Sequence, residues 1–186
     1  MATPVSSTHP SRFGILPQLV VIPAGVILMT LAAKAQIPFW PVPMTLHTMA
    51  VMGFALFLGP RLAVSIFLAY LAAGAAGLPV FSGTPERGIG LAYMMGPTAG
   101  YLLGFLLASA LVGHWAAGRK FLGRFGAMLA GLALVYACGA AWLALLVPAD
   151  KILSVGVWPF VPGDLLKIAI LAVASLALPR RASLRR

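Results

Sequence analysis

The sequence predicts an all-α integral membrane protein, a bundle of six transmembrane helices with both termini on the cytoplasmic side. Three observations carry that prediction. Of the 186 residues, 61% are hydrophobic and only 9% charged, whereas soluble domains carry roughly 25% charged residues. A chain with a mean hydropathy of +1.01 cannot cover its own surface with polar groups, so lipid is its natural solvent. Apolar runs close to the roughly 20 residues that cross a bilayer core recur along the chain. Its cations gather at the ends of those runs and fall unevenly on the two sides.

Taken in order, the apolar segments are Leu16–Ala33, Thr45–Gly59, Leu62–Gly77, Pro97–Trp115, Phe125–Val147 and Val161–Leu178. Each is bounded by Pro, Gly or a charge. Pro43, Pro60, Pro97 and Pro162 fall just before or within the first turn of a segment, where a missing N–H is harmless and the fixed φ suits a helix start. Pro23 lies inside the first segment and predicts a bend. The whole chain, 1–186, reads as one transmembrane domain, with a polar N-terminal tail over 1–13 and a basic cytoplasmic tail over 179–186. The run from Phe13 to Ala33 is longer than the roughly 7–15 residues of a signal-peptide core, so Ala33-Lys34-Ala35 is expected to stay uncut.

Orientation follows from the alternate connections. One set holds Arg12, Arg61, Arg119, Lys120, Arg124, Arg180, Arg181, Arg185 and Arg186, and the other holds Lys34, Arg87 and Lys151. The richer set belongs in the cytoplasm by the positive-inside rule, which places both termini there and the chain in the inner, or plasma, membrane as a multi-pass protein. Trp40, Trp142 and Trp158 then lie toward the outer interface and Trp115 toward the inner one. The net charge of +10 is thereby explained by membrane flanks. Nucleic-acid binding would need a basic face on a polar module, and no stretch offers one.

Small residues recur every four positions at Ser65, Ala69, Ala73 and Gly77, and again at Gly96, Gly100 and Gly104. Such stripes let helix backbones approach closely in lipid, either within the bundle or against a partner membrane subunit. Cys138 is alone, so no internal disulfide is possible, and its small apolar neighbours mark it as a packing residue.

Asp164 and Lys167 are the most informative pair. They sit at the mouth of the last apolar segment, where an ionised group costs roughly 2.5–3.5 kcal/mol to insert. Three residues apart on a helix, they share a face. They offer an acceptor and a donor to a polar ligand, or else neutralise each other within the bundle. The connection from Leu78 to Met95 is the longest outside the membrane and carries SGTPERG with Phe81 and Tyr93; loops of this length are often functional. Its Arg87 either pairs with Glu86 in solvent or meets an anionic ligand group, since guanidinium recognises carboxylate well. His9, His47 and His114 are scattered and imply no metal site. The three carboxylates are too far apart in sequence for paired acid–base catalysis, and GxxxxGK[ST] is absent, so ATP-driven work would need a partner. The chain reads as a transport component, not an enzyme, and no cofactor is expected.

Three stretches carry a resemblance: IPFWPVPMTLHTM at Ile37–Met49, YLAAGAAGLPVFSGTPERGIGLAYMMGPTAGYLLGF at Tyr70–Phe105 and PFVPGDLLKI at Pro159–Ile168. Together they resemble the BioY family, the biotin-specific substrate-capture (S) components of energy-coupling-factor (ECF) transporters. GLPVF, GPTAGY and PGDLLK in this order are specific, and the likeness runs from Leu16 to Leu178. The resemblance implies a six-helix bundle with a pocket near the outer surface, closed by the loops between helices one and two and between three and four. It implies biotin as the transported ligand, and as partners a transmembrane coupling subunit and two ATPases. The substrate-binding set it suggests is Asp164, Lys167, Arg87, Tyr93, Phe81, Tyr101 and Trp40. Asp164 would accept a ureido N–H, Lys167 would donate to a ligand oxygen, and Arg87 would meet the carboxylate. The Ala-x-x-x-Ala spacing common in the first helix of the wider group does not occur between Leu16 and Ala35. An S component for another vitamin, or a self-sufficient ion-coupled carrier in which Asp164 and Lys167 respond to protons, stands as the alternative.

Overall fold

The computed structural model describes residues 15–38 and 40–177, so both predicted tails lie outside the described residues. The elements in order are α1 (Ile15–Lys34), β1 (Gln36–Ile37), β2 (Met44–Thr45), α2 (His47–Leu58), α3 (Pro60–Ala75), α4 (Leu91–Met94), α5 (Ala99–Trp115), α6 (Phe121–Leu143), α7 (Ile152–Gly156) and α8 (Val161–Ala174), with 3-10 turns at Ala149–Lys151 and Ser175–Ala177. Each of the six apolar segments overlaps one helix of 12 or more residues.

The differences from expectation have local causes. α2 begins at His47, two residues later than the segment, because Met44 and Thr45 pair antiparallel with Ile37 and Gln36. It stops at Leu58, where Gly59 takes a φ of 88° and Pro60 opens α3. α6 starts at Phe121, ahead of the predicted Phe125, since Arg124 turns inward and joins the helix instead of flanking it. Pro23, where the sequence predicts a bend, lies within the helical span of α1.

Among the described residues, one helix alone, α6 with 23 residues, is long and apolar enough to cross a membrane; α7 and α8 with their flanking turns make a second candidate bent by 40°. The 12 residues of α2 rise about 18 Å, short of the roughly 30 Å hydrocarbon core. The loop and hairpin lie beyond its N-terminus, and that is where the site lies.

Close packing centres on α5 and α6. A Cβ placed on Gly100 would lie 2.3 Å from the Cys138 carbonyl oxygen, and one on Gly104 would lie 2.7 Å from the Val135 Cα. The glycine stripe on this segment is therefore an internal contact, where the absence of side chains lets two backbones meet. Gly77 ends the other stripe differently: it lies beyond α3 with φ +92° and no atom near its missing side chain, so it turns the chain.

At the opposite end of α6 from the loops, buried Arg124 donates through an Nη1 hydrogen to the Ser175 carbonyl. That carbonyl belongs to the last turn after α8, where cations are favoured by the helix dipole.

Candidate ligand-binding site

A cavity of about 570 Å³, counting the part open to solvent, lies between α5, α6 and the start of α8, with the 42–45 stretch and the 81–93 loop completing its wall. Its lining is mostly aromatic and aliphatic, with a few polar groups converging on it.

The polar wall is built from α8. Asp164 and Lys167, one turn apart, place Nζ 2.8 Å from Oδ1, with side-chain exposures of 11% for Lys167 and 7% for Asp164. Two more elements complete the arrangement. Lys167 Nζ also donates to the Thr45 carbonyl at 2.6 Å, tying α8 to the hairpin. Tyr136 of α6 donates its hydroxyl hydrogen to Asp164 Oδ2 at 2.8 Å. Each carboxylate oxygen thus has a donor, the condition under which a buried ion pair is tolerated. Asp164 lines the cavity; Lys167 stands behind it.

The aromatic wall comes from the loop after α3. Phe81 is fully buried; it stacks on Tyr93 at 4.7 Å with the planes 10° apart, and meets Tyr70 edge-on at 5.3 Å. Gly74 makes this possible, since a Cβ there would fall 2.0 Å from the Phe81 ring. Burial raises the pKa of the Tyr93 phenol, opposed by its hydrogen bond with Thr98 and by the nearby Arg87 charge. Tyr101 lies across the cavity, its ring over Gly139 and its hydroxyl bonded to the Gly156 carbonyl at 2.6 Å, which anchors α7.

Two loops are latched over this space by three contacts. Lys34 Nζ donates to both the carbonyl and the Oγ1 of Thr84, each at 2.8 Å. The Ser82 hydroxyl donates to the Gln36 side-chain oxygen. Arg87 donates to the Pro41 carbonyl at 2.9 Å.

Of the seven residues singled out from the sequence, Asp164, Phe81, Tyr93 and Tyr101 line one cavity and Lys167 is bonded to Asp164. Arg87 belongs to the latch, outside the lining. Trp40 is brought to neither: it is 79% exposed and off the cavity wall, as suits a ring at a membrane interface. Tyr136 is a site residue that the sequence reading missed. Its signal was a hydroxyl within an apolar run, which in a dry place needs a partner. Among the described residues, no group of three or more His, Cys, Asp or Glu could hold a metal ion.

The chain matches the BioY family over residues 5–184. A probable biotin transporter BioY of Pyrococcus horikoshii is 37% identical over 77% of this chain and 85% of its own length. The biotin transporter BioY of Thermotoga maritima is 36% identical over 86% and 95%. A crystal structure of the S-component for biotin from an ECF-type ABC transporter superposes with a TM-score of 0.76 at 26% identity, covering 90% of this chain and 93% of that one. With a family match over nearly its whole length and transporters for relatives, this membrane protein belongs to the BioY family.

Proposed function

We propose that this chain is the biotin-binding substrate-capture subunit of a vitamin importer in the inner (plasma) membrane. In this reading it is a six-span bundle with cytoplasmic termini that takes biotin from the outside. It delivers the ligand inward with a transmembrane coupling subunit and two ATPases. The observation that carries the reading is Asp164, paired with Lys167 behind it and steadied by Tyr136, in the wall of a mostly apolar and aromatic cavity.

Biotin's chemistry suits that wall. Its ureido ring presents two N–H donors and a carbonyl; Asp164 accepts one N–H, and Lys167 would donate to a ligand oxygen on turning from its Thr45 contact toward the cavity. The thiophane ring and valeryl chain lie against Phe81, Tyr93 and Tyr101. Arg87, held at the latch over the cavity, meets the terminal carboxylate in a charge-assisted contact. The relatives named as biotin transporters support this choice of ligand.

Equilibrium binding of biotin to the detergent-purified protein, with riboflavin and thiamine as competitors, tests the proposal. Saturable biotin binding that neither vitamin displaces is the expected result. Displacement by either would move the assignment to another vitamin. Proton-gradient-driven uptake by the chain alone in liposomes would favour the ion-coupled carrier.

A further inference from the structure

His47 opens α2 and lines the same cavity. It is 5% exposed, stacked on Phe105 at 5.5 Å and edge-on to Tyr70 at 5.2 Å. Its Nε2 is buried without a hydrogen-bond partner among the described residues. This slot between two rings would take a phenyl group without loss of packing, and an unpaired imidazole nitrogen there is unfavourable for the fold taken by itself. An unsatisfied polar atom on a residue that lines the cavity points to something that satisfies it when the cavity is filled and His47 adjusts to it.

We propose that His47 Nε2 is a second hydrogen-bonding contact to the ureido ring, beside Asp164, and so a specificity-determining residue for cyclic ureas. The inference rests on the biotin reading and adds to it. A neutral imidazole holds one N–H donor and one acceptor nitrogen, so Nε2 can serve the ureido edge that Asp164 leaves. The position is fixed from several sides. The His47 amide donates to Thr45 Oγ1 at 3.2 Å, and the carbonyl of the same Thr45 accepts from Lys167. The start of α2 and the charged pair on α8 therefore share one anchor. A ligand lacking a second polar edge leaves Nε2 unpaired and loses affinity for that reason, the way buried donors and acceptors discriminate most strongly.

The test combines two substitutions with a measurement on the unaltered protein. His47→Phe keeps a ring in the slot and is expected to weaken biotin and desthiobiotin, which retains the urea, by the same factor of about ten. Its ligand-free thermal stability should equal or exceed that of the wild type. His47→Gln restores a polar atom and should bind within about threefold of the wild type. Independently of any variant, the Nε2 resonance of 15N-histidine-labelled protein should shift when biotin is added. Native biotin affinity in His47→Phe, or an Nε2 signal that ignores the ligand, overturns the assignment and leaves His47 a packing ring. Wild-type protein that binds no biotin would instead defeat the ligand reading on which this one stands, so the two failures are told apart.

Discussion

Replacing Asp164 and Lys167 singly and together separates a ligand site from a structural ion pair. The pair is buried, and each carboxylate oxygen has one donor, Lys167 on Oδ1 and Tyr136 on Oδ2. Lys167→Met leaves the carboxylate with the tyrosine alone, and stranding one member of a buried pair costs about 3–5 kcal/mol. Asp164→Asn is milder. The amide oxygen still accepts from Tyr136, and Lys167 keeps the Thr45 carbonyl, so the loss of stability should fall below that range. Affinity should respond in the other order. Asn cannot offer a charged acceptor to the ureido N–H, and losing a charge-assisted hydrogen bond costs about 1.5–3 kcal/mol, a weakening of tenfold or more. The double change Asp164→Asn with Lys167→Met removes both charges and should recover much of the stability, since neutral pairs in such places are often no less stable. The assay is thermal unfolding in detergent without ligand, followed by biotin titration of each variant at a temperature where it is folded. A double variant that is stable and binds biotin with native affinity would refute the site assignment and leave the pair a bundle fastener.

Arg87→Ala should weaken biotin more than a neutral biotin amide in the same titration; equal losses would assign Arg87 to its bond with the Pro41 carbonyl. Gly104→Leu forces a side chain where even a Cβ would sit 2.7 Å from the Val135 Cα, so unfolding in detergent should show a loss above the 1–3 kcal/mol or so of ordinary overpacking. Arg124→Met removes the donor to the Ser175 carbonyl and should cost about 1–3 kcal/mol of stability while leaving biotin affinity unchanged, because Arg124 lies about 18 Å along α6 from Tyr136. A reporter active only in the periplasm and fused after Arg186 should stay silent; activity would overturn the cytoplasmic C-terminus.

The helices were legible because an apolar run ended by Gly, Pro or a charge leaves the backbone few alternatives in lipid. What filled the space between the runs was not. Gln36–Ile37 and Met44–Thr45 pair across six intervening residues with no alternation long enough to signal strands. The four residues of α4 are LAYM, indistinguishable from the end of a longer apolar segment. At the site the same contrast follows the size of the penalty. Asp164 and Lys167 announced themselves because a charge in an apolar run is costly enough to demand a reason. Tyr136 and His47 carry no such charge, so their presence in apolar runs costs less than that of Asp164 or Lys167 and does not name a partner. What gives them meaning is long-range: the Tyr136 partner is 28 residues away, and the rings around His47 come from α3 and α5. Trp40 is the converse case, since an aromatic beside a candidate loop drew attention by type while its surroundings leave it 79% exposed and off the cavity wall. Charge therefore located one wall of the cavity from sequence alone, and only the packing of α2, α3, α5 and α6 against it could show that neutral residues make up the remainder.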